Sequence, residues 1–206
     1  MSDGLDIVII DDEQDVCEVL AEQIKTYYTW GEILTFTDVD EAISYCLDRD
    51  SGIMIFILDV FVGRNNGFYF LDAISGKYQW AHHDTIMITG NADDDVVDMC
   101  VATGVNHLLE KPVRPYALQL AVRAIVTKYL KFAKRLLQDP DFAESVDDSR
   151  LQDKLINALN RPKPFQNFKW QIDNSGAYRQ QWFDFKKMRY IEWVKEQIDL
   201  NKEDFE

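Results

Sequence analysis

A chain of 206 residues, 47% hydrophobic and 13% aromatic, has the composition of a globular protein and is long enough for one ordinary domain and a smaller companion. It holds no run of about 18 apolar residues, so no transmembrane helix is expected; the acidic start Met1-Ser2-Asp3-Gly4-Leu5-Asp6 lacks the basic flank and apolar core of a signal peptide, and three cysteines, odd in number and far apart, lead us to expect reduced thiols in the cytoplasm. The net charge of −14 is uneven: residues 1–116 (22 acidic, 6 basic, net −16) should repel nucleic acid, and residues 117–206 (14 acidic, 16 basic, net +2) give little electrostatic reason for DNA binding.

Leu5-Asp6-Ile7-Val8-Ile9-Ile10 reads as a buried strand ending in two carboxylates, Asp11 and Asp12. A helix follows, with Val16, Val19, Leu20, Gln23, Ile24 and Tyr27 on one face, and Gly31 breaks it. Ile33-Leu34-Thr35-Phe36 is a short strand, and Asp38 caps a helix carrying Ala42, Ile43, Tyr45, Cys46 and Leu47. Next comes Ile53-Met54-Ile55-Phe56-Ile57-Leu58-Asp59, six apolar residues closed by a carboxylate. Its length and β-branched content are those of a strand buried on both faces, the kind found in the middle of a parallel sheet. A loop with Gly63, Asn65, Asn66 and Gly67 leads to a helix over about 68–75. Residues 85–89 form a fourth strand ended by Gly90, residues 93–103 a helix ended by Gly104, and residues 105–109 a fifth strand followed by Glu110-Lys111-Pro112. Strand and helix alternate five times, which predicts an α/β fold with a doubly wound, five-stranded parallel sheet.

A last long helix opens near Pro115, where the missing donor costs nothing, and runs to about Gln138. Leu118, Ile125 and Phe132 recur every seven residues, as do Val122, Tyr129 and Leu136, giving a seam of three heptads. This extended fifth helix is longer than packing on the sheet requires; its far half either projects or packs on the C-terminal segment. Asp139-Pro140-Asp141 ends it, and an acidic loop reaches Asp148, which predicts domains at 1–138 and 139–206. Ser149-Arg150-Leu151-Gln152 reads as a capping box opening a helix with Leu151, Leu155, Ile156 and Leu159. Arg161-Pro162-Lys163-Pro164 breaks it, a short helix covers about 165–172, Asn174-Ser175-Gly176 turns the chain, and a final helix covers about 177–198. The second domain is therefore expected to be small and all-α.

The chemistry-bearing residues collect at the carboxyl ends of the strands, which is where open parallel sheets place their sites. Cys17, Cys46 and Cys100 are odd in number and far apart, which fits reduced thiols and neither a disulfide framework nor a metal site. His82, His83 and His107 have no partners at ligand spacing. Taken alone, Asp59 reads first as the turn residue that ends a strand. With Asp11 and Asp12 at the end of a neighbouring strand, however, three carboxylates would converge, and such a cluster needs a cation. Hard oxygen ligands suit Mg²⁺, which keeps waters and also binds phosphate. Thr89 offers a hydroxyl and Lys111 a fixed positive charge. Cation, hydroxyl and ammonium around one carboxylate are what phosphoryl transfer to that carboxylate requires.

In this set of motifs, residues 5–116 resemble the receiver domain of bacterial two-component response regulators: Asp11-Asp12 after the first strand, Asp59 after the third, Gly67 eight residues on, Thr89 thirty on, and Lys111-Pro112 fifty-two on. The resemblance implies a flavodoxin-like sheet of order 2-1-3-4-5, with Asp59 as phosphoacceptor. It implies Mg²⁺ held by Asp12 and Asp59 directly, by Asp11 through water, and by the backbone carbonyl of Phe61. Thr89 and Lys111 would contact the phosphoryl group. The implied partners are a sensor histidine kinase or phosphotransfer protein, and a second copy meeting through helix 4, strand 5 and helix 5. The chain departs from the family pattern at Leu108, where an aromatic switch residue is usual, and at Gly63, where a proline is usual and glycine gives the loop more freedom. Phe61 and Asn91 stand where attack of water on the acyl phosphate is controlled, and the bulk of Phe61 predicts a long-lived phosphoryl group.

From Phe165 to Phe205 aromatic residues (Phe168, Trp170, Trp182, Phe183 and Phe185 among them) are interleaved with basic ones. They could stack bases and hold phosphates, or fill the core of a small helical unit; the near-neutral local charge favours the core. Residues 150–200 also resemble, more weakly, the C-terminal part of an uncharacterised bacterial family, which transfers no activity. No nucleophile–base pair or glycine-rich phosphate loop points to an enzyme beyond phosphoryl transfer to Asp59. The expected output is protein contact or self-association; the alternative is a nucleic-acid-binding regulator.

Overall fold

The computed structural model describes residues 5–29, 31–49, 54–78, 81–137, 146–161, 164–185, 188–189 and 192. The chain divides into two compact units, Met1–Thr127 and Lys128–Glu206. Ile53, the acidic loop from Asp139, and Trp193 and Phe205 of the aromatic set lie outside the described residues.

The first unit is built on β1 (Asp6–Ile10), β2 (Ile33–Phe36), β3 (Met54–Asp59), β6 (Thr85–Thr89) and β7 (His107–Glu110). These form one parallel sheet in the order β2-β1-β3-β6-β7. Counting only these five strands, that is the expected 2-1-3-4-5 sequence. The step from β1 sideways to both β2 and β3 is the switch point where such sheets place their sites. Every residue of β1, β3 and β6 is buried, as near-continuous apolar runs in a two-faced sheet require.

Helices cover both faces. Val8, Ile10, Met54, Phe56, Leu58 and Met87 pack with buried residues of α2 (Val39–Asp48), α3 (Gly67–Ile74) and α4 (Asp94–Thr103). Phe56 is the centre of that layer: its ring meets Phe70 edge-on at 5.4 Å and Tyr78 at 5.9 Å. Strand alternation sends Ile7, Ile9, Ile55 and Ile57 to the other face. The helices left for that face are α1 (Gln14–Lys25) and α5 (Pro115–Leu137), and the charge of Arg123 acts on Tyr27 between them. Leu118, Val122, Ile125 and Tyr129 of the heptad seam are buried, whereas the side chains of Phe132 and Leu136 lie outside those described.

The capping logic holds at α2, where Asp38 accepts from Glu41 N–H at 2.9 Å, and at α4, where Asp93 accepts from Val96 N–H at 3.0 Å and Gly104 closes the helix at φ +76°. The face of α1 differs from the periodic reading: Cys17, Leu20, Ala21 and Ile24 are buried, and Val19 is exposed. The Cys17 thiol shares its one proton between the carbonyls of Asp11 (3.4 Å) and Phe36 (3.6 Å).

One buried charge was not expected. Asp6, in the first strand, accepts from Glu32 N–H at 2.7 Å and pairs with Arg49, which also donates to Tyr45 Oη at 2.7 Å. This polar cluster lies at the end of β1 opposite Asp11 and ties the entry of β2 and the exit of α2 to the sheet.

In the second unit, α6 (Ser149–Leu159) begins one residue earlier than a Ser149 cap allows. Asp148 is the cap, accepting from Arg150 N–H at 2.9 Å and Leu151 N–H at 3.2 Å. Helix α7 (Pro164–Asp173) packs against α6, and residues 178–185 are helical after Gly176 at φ +63°. Phe168 and Trp182 meet edge-on at 5.0 Å, and both are buried with Phe185, Leu155 and Ile172. These aromatics fill a core, and Trp170 stands outside it, 62% exposed.

Candidate functional site

Asp11, Asp12 and Asp59 come together because β1 and β3 are adjacent and parallel and end in register, with Ile10 opposite Leu58. The carboxylates offer three oxygens that all lie within 4.8 Å of one another. Asp11 and Asp59 are buried and Asp12 is exposed. Lys111, just past β7, reaches across the sheet end. Its ammonium lies 2.5 Å from Asp59 Oδ2 and 2.7 Å from Asp11 Oδ2. The first contact is a hydrogen bond; the second is an ion pair that lacks hydrogen-bond alignment. The Lys111–Pro112 peptide bond is cis, and Lys111 N–H bonds the Thr89 carbonyl at 2.7 Å, so β6 positions the lysine.

Backbone amides hold three of the four remaining oxygens. Glu13 N–H donates to Asp11 Oδ1 at 3.0 Å, Phe61 N–H to Asp59 Oδ1 at 3.1 Å, and Gly63 N–H to Asp12 Oδ2 at 3.2 Å. Sequence patterns missed all three donors, because every residue but proline carries an N–H and only the fold aims it.

Burial raises the Asp59 carboxyl above the ordinary carboxylate range, against the opposing pull of Lys111 and the Phe61 N–H. For Lys111, burial alone would lower the ammonium, but the two carboxylates beside it, Asp11 and Asp59, outweigh burial and leave it raised. The pocket therefore favours the charged Lys111 between its two carboxylates. Nearby, burial and the Asp11 charge push the Cys17 thiol up to about 11, so it remains a donor.

The other expected residues sit around this centre. Thr89 ends β6 and is buried; its hydroxyl donates to the Asn91 carbonyl at 2.9 Å and accepts from Asn91 N–H at 3.2 Å. Phe61 projects its ring outward, 62% exposed. Gly67 must be glycine: a Cβ there would lie 2.6 Å from the Asp59 carbonyl oxygen and 3.2 Å from Met87 Sδ. The position beside Gly90 is open, with nothing within 4 Å. Leu108 packs on the apolar core through its pairing with Met87, so no aromatic ring stands at that place. The Gly63 loop is a short hairpin of β4 (Phe61–Val62) and β5 (Asn65–Asn66), with Gly63 at φ +57°, a backbone angle that proline cannot take.

The donor set fits Mg²⁺. It consists of hard carboxylate oxygens only, and octahedral ligands at 2.0–2.1 Å stand about 3–4 Å apart. The buried Asp11 Oδ2 makes no hydrogen bond, and its one described contact is the ammonium.

Residues 7–123 match the family model described as the response regulator receiver domain. Among curated relatives, the transcriptional regulatory protein CitT of Halalkalibacterium halodurans is 26% identical over 129 residues, 63% of this chain and 55% of that protein. Response regulator SaeR of Staphylococcus aureus is 26% identical over 140 residues, 67% of this chain and 58% of that protein. The chain thus spans little more than half the length of these relatives. Among solved structures, chemotaxis protein CheY4 of Vibrio cholerae has a TM-score of 0.52 at 19% identity, covering 59% of this chain and 98% of that one. A receiver domain protein from Clostridium thermocellum has a TM-score of 0.53 at 22% identity, covering 61% and 96%. These likenesses are of fold, and each covers about three fifths of this chain.

Proposed function

The chain belongs to the response regulator receiver domain family of two-component systems, and from that premise we propose that Asp59 accepts a phosphoryl group from a histidine kinase or phosphotransfer protein and that the second unit relays the event by protein contact or self-association. The observation that carries the reading is the Lys111 ammonium set between Asp59 and Asp11, with Asp12 beside them. In this reading Asp12 and Asp59, with Asp11 and the Phe61 carbonyl, hold Mg²⁺, which when bound supplies positive charge to the transferring phosphoryl oxygens. Asp59 Oδ2 is the attacking oxygen, Lys111 neutralises the incoming charge, and the Thr89 hydroxyl leaves Asn91 to meet it. The new charge of about −2 at Asp59 is what the rest of the molecule reads. The test is incubation with a small acyl phosphate donor. Mg²⁺-dependent, hydroxylamine-labile phosphate on the full chain is expected; absence of label at saturating donor would refute the reading.

Lys111 gives a separate prediction. Without it, Asp11 and Asp59 face each other buried and uncompensated. Lys111→Met should cost about 2–3 kcal/mol in chelator. Mg²⁺ should restore more of that loss than it adds to wild type, because binding to the folded state alone raises stability. Thermal melts with and without Mg²⁺ check this.

Self-association is supported by apolar residues left outside on α4 and α5, Val101 at 74% and Leu120 at 71% exposure, with Met99 and Tyr116. Light scattering with Mg²⁺ and beryllium fluoride should give a dimer in wild type and a monomer in Asp59→Asn; an unchanged mass with bound mimic removes dimerisation as the switch. One observation favours the nucleic-acid alternative: exposed Trp170 shares a shallow cavity with Lys154 and Arg161, for which no ion pair is described. Retention of the protein on single-stranded DNA or RNA, falling steeply with salt, would decide for it.

A further inference from the structure

We propose that the backbone N–H of Gly63 is a positioning group for Asp12, presented by the β4–β5 hairpin so that the one exposed carboxylate of the cluster is set for a divalent cation. The inference rests on the reading of the pocket as a Mg²⁺ site. Asp11 and Asp59 are buried, and each is held by a backbone amide and by Lys111. Asp12 has neither the burial nor the lysine. It is exposed, and its one described hydrogen bond is the 3.2 Å contact of Oδ2 with Gly63 N–H. An exposed aspartate free to rotate would have to be ordered when the cation binds, and ordering it beforehand removes that cost. Because Oδ2 is the oxygen engaged, Oδ1 is left for the cation.

The hairpin is anchored for this purpose. Val60 N–H bonds the Ile88 carbonyl of β6 at 2.8 Å, Gly67 N–H returns to the Val60 carbonyl at 3.1 Å, and Val62 is buried in the core. The tip turns at Gly63 with φ +57°, the left-handed region that favours glycine. Space does not require glycine there, since a Cβ would meet nothing within 4 Å. Alanine therefore strains the turn but keeps the N–H, whereas proline strains the turn and removes it.

The experiment titrates Mg²⁺ alone into the full chain by calorimetry, using wild type, Gly63→Ala and Gly63→Pro, with melts in chelator to check folding. Gly63→Ala should bind within about threefold of wild type, and Gly63→Pro about tenfold more weakly, the size of one hydrogen bond to a charged group. Equal weakening in both variants would make the turn's shape the cause and overturn the proposal, as would no weakening in either. A second readout does not depend on the proline variant folding: in Asp12→Ala the Gly63 amide proton should shift upfield and exchange faster, while the Phe61 amide stays in place. An unmoved Gly63 amide overturns the proposal. If wild type itself takes up no Mg²⁺, the pocket reading falls; if wild type binds normally and Gly63→Pro binds equally well, this inference alone falls.

Discussion

Asp59→Asn should reduce phosphoryl incorporation from an acyl phosphate donor to background while leaving the fold intact. The amide oxygen can still accept from Phe61 N–H, so the turn after β3 survives. It cannot act as the nucleophile that a carboxylate is. Lys111 keeps its second partner, Asp11, at 2.7 Å. The substitution also removes one of three like charges crowded within 4.8 Å, which offsets the lost ion pair. The melting temperature should therefore stay within a few degrees of wild type, equivalent to about 1 kcal/mol. Intact-protein mass spectrometry and a thermal melt measure both quantities. Full label on the variant would move the acceptor to another residue.

The largest stability effect is expected far from the pocket. A Cβ on Gly31 would lie 2.0 Å from the Leu5 carbonyl oxygen, 2.6 Å from its carbon and 2.9 Å from Asp6 Oδ1. None of these can yield cheaply. The Leu5 carbonyl accepts from the buried Tyr28 hydroxyl, and Asp6 is fixed by Glu32 N–H and Arg49. Gly31→Ala must push the entry of β2 away from β1, loosening the register that begins at Ile7 and Ile33. It also disturbs a buried aspartate and its cation. The expected loss is about 3–5 kcal/mol, the range for breaking a buried charge pair, or roughly 10 °C in melting temperature. Gly76→Ala is the matching control, since nothing lies within 4 Å of its Cβ position. Equal melting temperatures for the two variants would refute the account.

Asp6 and Gly31 mark where sequence reading stopped. A single aspartate inside Leu5-Asp6-Ile7 looks like a strand-edge residue, and its partner Arg49 is 43 positions away. Nothing local signals that pairing. The same holds for α1: the period of its apolar residues puts Val16 and Val19 on the apolar face, whereas packing buries Cys17, Leu20, Ala21 and Ile24 and leaves Val19 exposed.

The five alternating strands and helices, the doubly wound parallel sheet and the meeting of Asp11, Asp12 and Asp59 at its carboxyl edge were determined by the sequence itself. Continuous apolar runs between helical periods admit few topologies, and carboxylates at strand ends have one place to meet. Tertiary structure alone decided how the pocket is held. Lys111 is 52 positions from Asp59, and the Glu13, Phe61 and Gly63 amides carry no side-chain signature, so only the packed sheet and the β4–β5 hairpin bring them to the carboxylates. In the second unit, aromatic content predicted a core, and packing chose its members. Phe168, Trp182 and Phe185 turn inward, and Trp170, two residues along the helix from Phe168, points to the opposite side, because a 3.6-residue turn cannot bury both.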